Sequence, residues 1–289
     1  MSPETTILSA LAAPTIGAFL IAFSGRSPNL RETITLVTAT TLFALVVSLV
    51  PTILEGSRPS VSLGEMVPGL EVVFTVEPLG MTFAVVASFL WIVNSIYSIG
   101  YMRANNESNQ TRFYVCFAIA LASTIAIAFS GNMLTLFIFY EMLTICTYPL
   151  VAHAGHEKAK RSARIYLGVL LMTSIGLQLL AIVGTWMSTG TLDFREGGIM
   201  EGNVETGVAG ILLFLYMFGI GKAALMPVHR WLPAAMVAPT PVSALLHAVA
   251  VVKAGVFTVV KVVVYIFGYE YLANIINPDW LLYISGFTI

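Results

Sequence analysis

The stretch GIGKAALMPVHRWLP, Gly219 to Pro233, ends an apolar run and contains a lysine, Lys222, where a membrane helix ordinarily has no charge. Similar apolar runs follow one another along the chain: 57% of its 289 residues are hydrophobic and only 10% are charged. This balance lies far outside the composition of soluble globular proteins. Because about 20 apolar helical residues cross a hydrocarbon core of roughly 30 Å, the sequence predicts an all-α, polytopic membrane protein.

Eight runs are long enough to span a membrane. They are residues 5–23, 34–53, 79–100, 113–130, 132–152, 165–188, 206–226 and 241–268. A ninth run starts near Trp280 and stops at Ile289, which is too short to cross. We therefore expect the front part of a larger fold, whose remainder follows in a longer protein or is supplied by a second polypeptide.

Basic residues predict the orientation, because Lys and Arg in short loops favour the cytoplasmic side. With the N-terminus outside, most basic residues fall in inner loops. The inner loops contain Arg26, Arg31, Arg103, Arg112, Lys158, Lys160, Arg161, Arg164 and Arg230, and the outer loops contain Arg58 and Arg195. The other three, Lys222, Lys253 and Lys261, lie within spans. This asymmetry supports both the orientation and the span count.

Two outer segments have patterns of their own. Residues 56–78, GSRPSVSLGEMVPGLEVVFTVEP, alternate polar and apolar residues between Gly and Pro. This pattern predicts an external β-hairpin between spans two and three, which would serve as a lid or a docking element. Residues 191–207, TLDFREGGIMEGNVETG, are rich in glycine and acidic residues and are typical of a solvated external loop.

Ionisable side chains within the spans are the candidate functional residues. A charge at the bilayer centre costs on the order of 2.5 to 3.5 kcal/mol, so it seldom persists without a partner or a water-filled cavity. Glu141, Lys222, His247 and Lys253 all lie in otherwise apolar spans. Lys261 lies nearer the outer end of span eight, where we expect its stem to reach the interface.

Glu141 and Lys222, in spans five and seven, allow two interpretations. As a static ion pair they would only fasten two helices together. As a switch they would exchange a proton, because a nearby carboxylate favours the charged lysine whereas burial disfavours it. His247 is likewise either a neutral histidine held in the bundle or a relay. It lies about 9 Å along the helix from Lys253, so water or a third side chain would have to link the two.

Pro227 is expected to interrupt span seven just over a turn beyond Lys222. Broken membrane helices mark ion sites in transporters, and free carbonyls at a helix C-terminus favour a cation. The sequence therefore predicts a discontinuous span seven with Lys222 beside the break.

Three other histidines lie towards the inner side. His229 follows the break and is either a cytoplasmic access point or a residue that only extends to the interface. His153 and His156 lie beside the basic loop after span five, and we expect both at the surface.

With these residues the chain resembles the antiporter-like membrane subunits shared by Mrp-type sodium/proton antiporters and the proton-pumping arm of respiratory complex I. The similar segments are YSIGYM (Tyr97 to Met102), LTLFIFYEMLTICTYPLV (Leu134 to Val151), GKAALMPVHRWLPAAMVAPTPVSALLHA (Gly221 to Ala248) and VVKAGVF (Val251 to Phe257). By this resemblance Glu141, Lys222 and Lys253 match the family's proton-transfer residues in helices five, seven and eight, and His247 matches a histidine found in some members. The run as a whole is most similar to the D-type membrane component of Mrp antiporters.

The resemblance also implies a domain organisation. Family members have about fourteen spans, arranged around two inverted five-helix repeats. Residues 1–112 would form an N-terminal region of three spans with the external hairpin, and residues 113–268 the first five-helix repeat. Residues 269–289 would form a loop and the start of span nine, so the second half-channel would lie outside this chain.

The resemblance implies a proton-translocating subunit of a multi-subunit monovalent cation (Na⁺)/H⁺ antiporter, a transporter subunit rather than an enzyme, in a bacterial inner membrane. Its partners would be other Mrp-type subunits, among them a chain that supplies the second half of the fold, together with protons, Na⁺ or another monovalent cation, and the lipid bilayer.

Two other interpretations remain open. One is a proton-pumping subunit of an NADH:quinone oxidoreductase-like or hydrogenase-like complex, and the other is a non-transporting scaffold. We expect no cofactor and no nucleic-acid partner, because the sequence has no nucleotide-binding motif and Cys116 and Cys146 lie inside predicted spans.

Overall fold

The computed structural model describes residues 1–245, 250–276 and 278–289. Six of the described helices are long and apolar enough to cross a membrane. A seventh crossing results if Val251–Phe267 and Tyr269–Ile276, which meet at an angle of 81°, form one bent span. The fold is therefore a polytopic helical membrane fold, as the composition predicts. The count of eight stays a prediction, since the apolar helix Thr206–Gly219 is shorter than a span.

The elements follow one another as helices with a single described hairpin. In chain order they are α1 (Pro3–Phe23), α2 (Pro28–Leu54), β1 (Ser60–Val67), β2 (Leu70–Thr75), α3 (Pro78–Ala104), α4 (Gln110–Ala128), α5 (Met133–Val151), α6 (Glu157–Thr173), α7 (Leu179–Thr189), α8 (Thr206–Gly219), α9 (Trp231–Ala235), α10 (Thr240–Ala244), α11 (Val251–Lys261), α12 (Tyr269–Tyr271) and α13 (Asp279–Thr288). A π-helical turn, Ser174–Gln178, joins α6 and α7 into one long crossing.

Proline and capping residues set the helix starts. Pro3, Pro28 and Pro78 occupy the first helical positions of α1, α2 and α3. Proline is well suited to this place, because its missing amide would have no partner inside the helix. The side chain of Asn132 caps α5 by accepting a hydrogen bond from the Thr135 amide at 2.8 Å.

Helix α4 lies at the centre of the bundle. In its most apolar window 72% of residues are buried, whereas the other five long helices have 33 to 44%. The remaining helices therefore present one side to the bundle and the other to lipid. Exposed apolar side chains such as Phe19 and Ile145 lie on these outward faces.

The predicted β-hairpin between the second and third helices is confirmed, and its location outside the membrane stays a prediction. Strands β1 and β2 pair antiparallel, and the hairpin lies over the start of α5. The Thr135 hydroxyl accepts a hydrogen bond from the Val73 amide at 3.0 Å, and the Gly131 amide donates to the Val73 carbonyl at 2.8 Å. We call this end of the bundle the outer side, following the orientation that the basic residues predict.

Span seven is discontinuous, as predicted, but the break begins earlier than Pro227. Helix α8 ends at Gly219, and Lys222 lies in a separate 3₁₀ turn, Gly221–Ala223. A Cβ atom at Gly219 would overlap the backbone of Gln178, so α8 packs directly on the π-helical turn of the neighbouring crossing. Helix α8 therefore ends where it packs against this turn, eight residues before Pro227.

The bent crossing formed by Val251–Phe267 and Tyr269–Ile276 turns at Gly268. Beyond α11 the chain continues as a π-helical segment, Val262–Phe267, and then turns sharply. Gly268 has φ +82°, and a Cβ atom there would overlap the carbonyl of Gly197 in the outer loop. Only glycine fits both conditions, since this backbone conformation and this close approach leave no room for a side chain.

Candidate functional site

Lys222 is fully buried, and α5 holds its ammonium group. The Nζ atom donates hydrogen bonds to the Tyr140 carbonyl at 2.7 Å and to the Thr144 hydroxyl at 2.6 Å. It also lies 3.1 Å from the centroid of the Tyr140 ring. The carbonyl that receives this cation therefore belongs to another helix, whereas the sequence points to the free carbonyls at the break in span seven.

The lysine turn is also held through its backbone. The Lys222 amide donates to the Tyr140 hydroxyl at 3.1 Å. The indole of Trp231 donates to the Gly221 carbonyl at 2.8 Å, so the broken segment itself satisfies a carbonyl that the interrupted helix leaves free. The turn is thus fixed from both sides, and the ammonium group points at α5.

Glu141 follows Tyr140 on α5 and has a different environment. Both of its carboxylate oxygens are buried, and neither has a hydrogen-bond partner among the described residues. The charge of Lys222 acts on this carboxylate, and the Ser174 hydroxyl is a nearby donor that makes no hydrogen bond of standard geometry with it. Within the described residues no ion pair joins Glu141 to Lys222. The structure thus brings the predicted acid and base together without the static contact that a fastener would need.

Lys253 does not join this cluster. It lies on α11 two residues before Gly255, which is about 200° around the helix axis. Gly255 packs against Lys222 and Ala223, so Lys253 points the other way, and its side chain is exposed in an apolar groove beside Phe83 of α3. His247, the fourth predicted proton-transfer residue, lies outside the described residues.

Of the two further candidate residues, Lys261 and His229, only Lys261 differs from expectation. Lys261 does not extend to the interface: it is fully buried, and its Nζ atom lies 2.8 Å from Glu77 Oε2. His229 lies in a 3₁₀ turn, Val228–Arg230, and is half-buried, with its Nδ1 atom unpartnered among the described residues.

Sequence reasoning missed the hydroxyl groups that surround Lys222. Tyr140, Thr144 and Thr147 recur at helical spacing on one face of α5, and all three are buried. Thr147 and Tyr166 of α6 share a hydrogen bond of 2.6 Å, so the polar face continues inwards from the lysine. The i, i+4, i+7 pattern in TLFIFYEMLTICT was the available signal, because it places the three side chains on the same side of the helix.

His153 is buried, contrary to the expectation that it lies at the surface. Its side chain is 1% exposed, at the inner end of α5, and its Nε2 atom lies 3.7 Å from Glu107 Oε2. Burial lowers the pKa of His153, the Arg112 guanidinium lowers it further, and Glu107 opposes both effects. His156 is exposed, as expected, and its ring accepts a hydrogen bond from the Ala159 amide at the start of α6.

The environment of His153 predicts a pH dependence of stability. Because the pKa is lowered in the folded chain, the unfolded chain takes up a proton at a higher pH than the folded chain does. Stability should therefore decrease as the pH falls below about 6.5, the usual pKa of histidine. The temperature at which the purified protein loses its monodisperse form, measured from pH 8 to about pH 5, would test this.

A His153→Gln variant should lose this part of the dependence. His156→Asn is the matched control, because asparagine also caps a helix and the imidazole it replaces is exposed. An unchanged pH profile in His153→Gln would contradict the assignment.

The fold and the site together define a polytopic helical membrane protein with ionisable groups buried beside a broken helix. A family profile described as NADH:quinone oxidoreductase/Mrp antiporter, transmembrane, matches residues 130–289. The chain belongs to this family.

Curated relatives carry the name of one branch of the family. NAD(P)H-quinone oxidoreductase chain 5 of Synechocystis sp. is 30% identical over 269 residues, which is 88% of this chain and 39% of the relative. NAD(P)H-quinone oxidoreductase subunit 5 of the organellar chromatophore of Paulinella chromatophora is 33% identical over 200 residues, 66% of this chain and 30% of the relative. The chain thus spans well under half the length of these relatives.

Two solved structures contain a chain with a similar fold. A chain in the structure of the Mrp complex from Dietzia sp. DQ12-45-1b aligns with a TM-score of 0.79 at 25% identity, covering 98% of this chain and 29% of that chain. A chain of the archaeal membrane-bound sulfane sulfur reductase aligns with a TM-score of 0.77 at 19% identity, over 88% of this chain and 52% of that one. The second likeness concerns the fold alone.

Proposed function

We propose that the chain is the proton-translocating part of a multi-subunit monovalent cation (Na⁺)/H⁺ antiporter of the Mrp type. The observation that carries the proposal is the arrangement at Lys222. A fully buried ammonium group is bonded to a carbonyl and a hydroxyl, and a buried carboxylate nearby, Glu141, has no hydrogen-bond partner among the described residues. The likeness of nearly the whole chain to a chain of an Mrp complex supports the choice of antiporter.

The geometry suggests how a proton would move. The Tyr140 carbonyl and the Thr144 hydroxyl stabilise the charged lysine through charge-assisted hydrogen bonds. Glu141, without such bonds, can accept a proton and become neutral inside the bundle, where an uncompensated charge is costly. Lys222 lies in a short turn between two breaks in the helix. A small rotation of this turn would move its ammonium group from Tyr140 and Thr144 to Glu141 on the same helix, α5.

The remaining predicted residues would extend the path. Lys253 would pass the proton onwards from its groove, together with His247, and His229 would give access from the inner side. In this proposal residues 1–112 and 113–268 keep the roles that the sequence suggests, and a further chain or segment provides the second half-channel after residues 269–289. The complex would lie in a bacterial cell membrane.

A second candidate is a proton-pumping subunit of an NADH:quinone oxidoreductase-like complex. The names of the curated relatives favour it. The same buried groups would serve, and the driving reaction would take place on other subunits. Purification of the intact complex and identification of its other chains by mass spectrometry would separate the two candidates, since antiporter partners and redox subunits differ in kind.

Glu141→Gln tests whether the chain moves protons at all. Glutamine has nearly the same shape and cannot exchange a proton, so we expect the flux to fall by about tenfold or more while the complex still assembles. The measurement is the pH change inside vesicles containing the complex after a Na⁺ jump. A scaffold would instead show a lower amount of complex with unchanged flux per complex, which would refute the proposal.

A further inference from the structure

A second buried acid and base lie away from Lys222, near the outer side. Lys261 on α11 is fully buried, and its Nζ atom donates to Glu77 Oε2 at 2.8 Å. Phe194, Tyr265 and Phe257 surround the ammonium group, with ring centroids 4.3, 4.7 and 5.7 Å from Nζ. The aromatic faces and the carboxylate together stabilise a cation that has no contact with solvent.

Glu77 forms this pair instead of capping its own helix. It is the N-cap residue of α3, where an acidic side chain ordinarily accepts a hydrogen bond from the first turn of the helix. Here the side chain makes no capping bond, and its carboxylate turns to Lys261. The side chain of Glu77 is 10% exposed whereas that of Lys261 is 0% exposed, so the carboxylate is the more accessible member of the pair.

A predominantly acidic cleft lies next to the ring cage around Lys261. It has a volume of about 570 Å³ and opens between the hairpin and the outer loop. Three acidic residues, Glu65, Glu71 and Asp193, and one basic residue, Arg195, line it together with Phe194. Phe194 belongs both to the cleft wall and to the ring cage around Lys261. Phe194 therefore contacts both the ammonium group and the cleft.

Helix α11 connects this pair to the central lysine. Gly255 packs against the backbone of Lys222 and Ala223, and Lys261 follows about 9 Å further along the same helix. Directly after Lys261 the helix becomes π-helical, an irregularity that is frequent at functional sites. The outer loop is bonded to this segment, with the Ile199 amide donating to the Ile266 carbonyl at 2.8 Å. A shift of α11 at Lys222 would therefore also move Lys261.

We propose that Lys261 and Glu77 form the outer gate of the proton path. The inference rests on the proposed transport function. In the closed state the Lys261 ammonium group is bonded to the Glu77 carboxylate, which therefore cannot bind a proton. The pair then separates the acidic cleft from the Lys222 turn. When α11 moves, Lys261 withdraws, and Glu77 can exchange a proton with the cleft. The gate thereby couples proton transfer at Lys222 to proton release on the outer side.

The gate predicts a leak when the ammonium group is removed. The complete complex is reconstituted into vesicles, a pH gradient is imposed without Na⁺, and passive proton influx is measured per assembled complex. Lys261→Met should increase this influx by about tenfold or more, because the Glu77 carboxylate loses its ammonium partner and is free to bind a proton. Lys261→Arg, which keeps the charge and the hydrogen bond, is the matched control and should remain tight.

The second variant is Lys261→Gln, which keeps a hydrogen-bond donor towards Glu77 and should assemble even if Lys261→Met does not. If either variant assembles and its proton influx equals that of the unmodified complex, the gate is refuted. If neither variant assembles, the gate is also refuted, because the pair is then a structural fastener.

The double variant Lys261→Met, Lys222→Met separates this inference from the proposed function. It should abolish the leak, because the path runs through Lys222. A leak that persists in the double variant would place the pair on another route and refute the gate. Transport that survives Lys222→Met alone would instead refute the proposed function, whatever the leak measurement gives.

Discussion

Lys222→Met is expected to reduce Na⁺-driven proton flux by about a hundredfold or more, the largest effect of any single substitution in the chain. Methionine has a similar length and is apolar, so it can fill the buried space but can neither bind a proton nor donate to the Tyr140 carbonyl and the Thr144 hydroxyl. The measurement is the pH change inside vesicles after a Na⁺ jump, normalised to the amount of assembled complex.

The effect on stability should be much smaller. Two hydrogen bonds are lost, each worth on the order of 1 kcal/mol, but a buried charge is removed at the same time, which offsets part of that loss. Lys158→Met is the matched control, because Lys158 is an exposed lysine in the first turn of α6, at the predicted inner side. Flux that stays within about twofold of the unmodified complex in Lys222→Met would show that the lysine is a structural residue.

Gly255→Ala should produce the largest loss of stability. An added Cβ atom would overlap the amide nitrogen of Ala223 and the carbonyl carbon of Lys222. Both are backbone atoms and cannot rotate away, so α11 must separate from the lysine turn. Overpacking of this kind costs about 1 to 3 kcal/mol. Because the displaced turn contains Lys222, proton flux should fall together with the thermal stability of the purified complex.

Gly168→Ala is the control for this substitution. Gly168 lies within α6, and a Cβ atom there would have nothing within 4 Å. Alanine favours a helix over glycine by roughly 0.5 to 1 kcal/mol, so the control should be neutral or slightly stabilising. Equal thermal stability of Gly255→Ala and Gly168→Ala would mean that α11 and the lysine turn are not tightly packed. A movement at Lys222 would then not be transmitted to Lys261.

Much of the architecture could be predicted because its signals are local. Apolar runs predict the long helices, alternation with Gly and Pro predicts the hairpin, and the prolines after Lys222 predict an interrupted span. Each of these signals depends on neighbouring residues only. The start of the break was misplaced because it coincides with the contact between Gly219 and Gln178, which are distant in sequence.

The candidate site was predicted only in part, for the same reason. A buried lysine is visible in the sequence as a charge within an apolar run, but its partners are not. Tyr140 is 82 residues from Lys222, and Glu77 is 184 residues from Lys261. A prediction from one helix at a time therefore paired Lys222 with Glu141 by charge, whereas the structure pairs it with a carbonyl and a hydroxyl.

The sequence by itself determined that this is a polytopic helical membrane protein with charged groups at membrane depth, because hydropathy and charge are properties of each segment and do not depend on its neighbours in space. Only the tertiary structure decided which groups meet. It placed Lys222 against α5, Lys261 against Glu77 and Lys253 in an outward groove. The physical reason is that a buried charge is stabilised by whatever polar atoms the packed helices bring within hydrogen-bond distance, and this depends on how the helices are rotated and offset against one another.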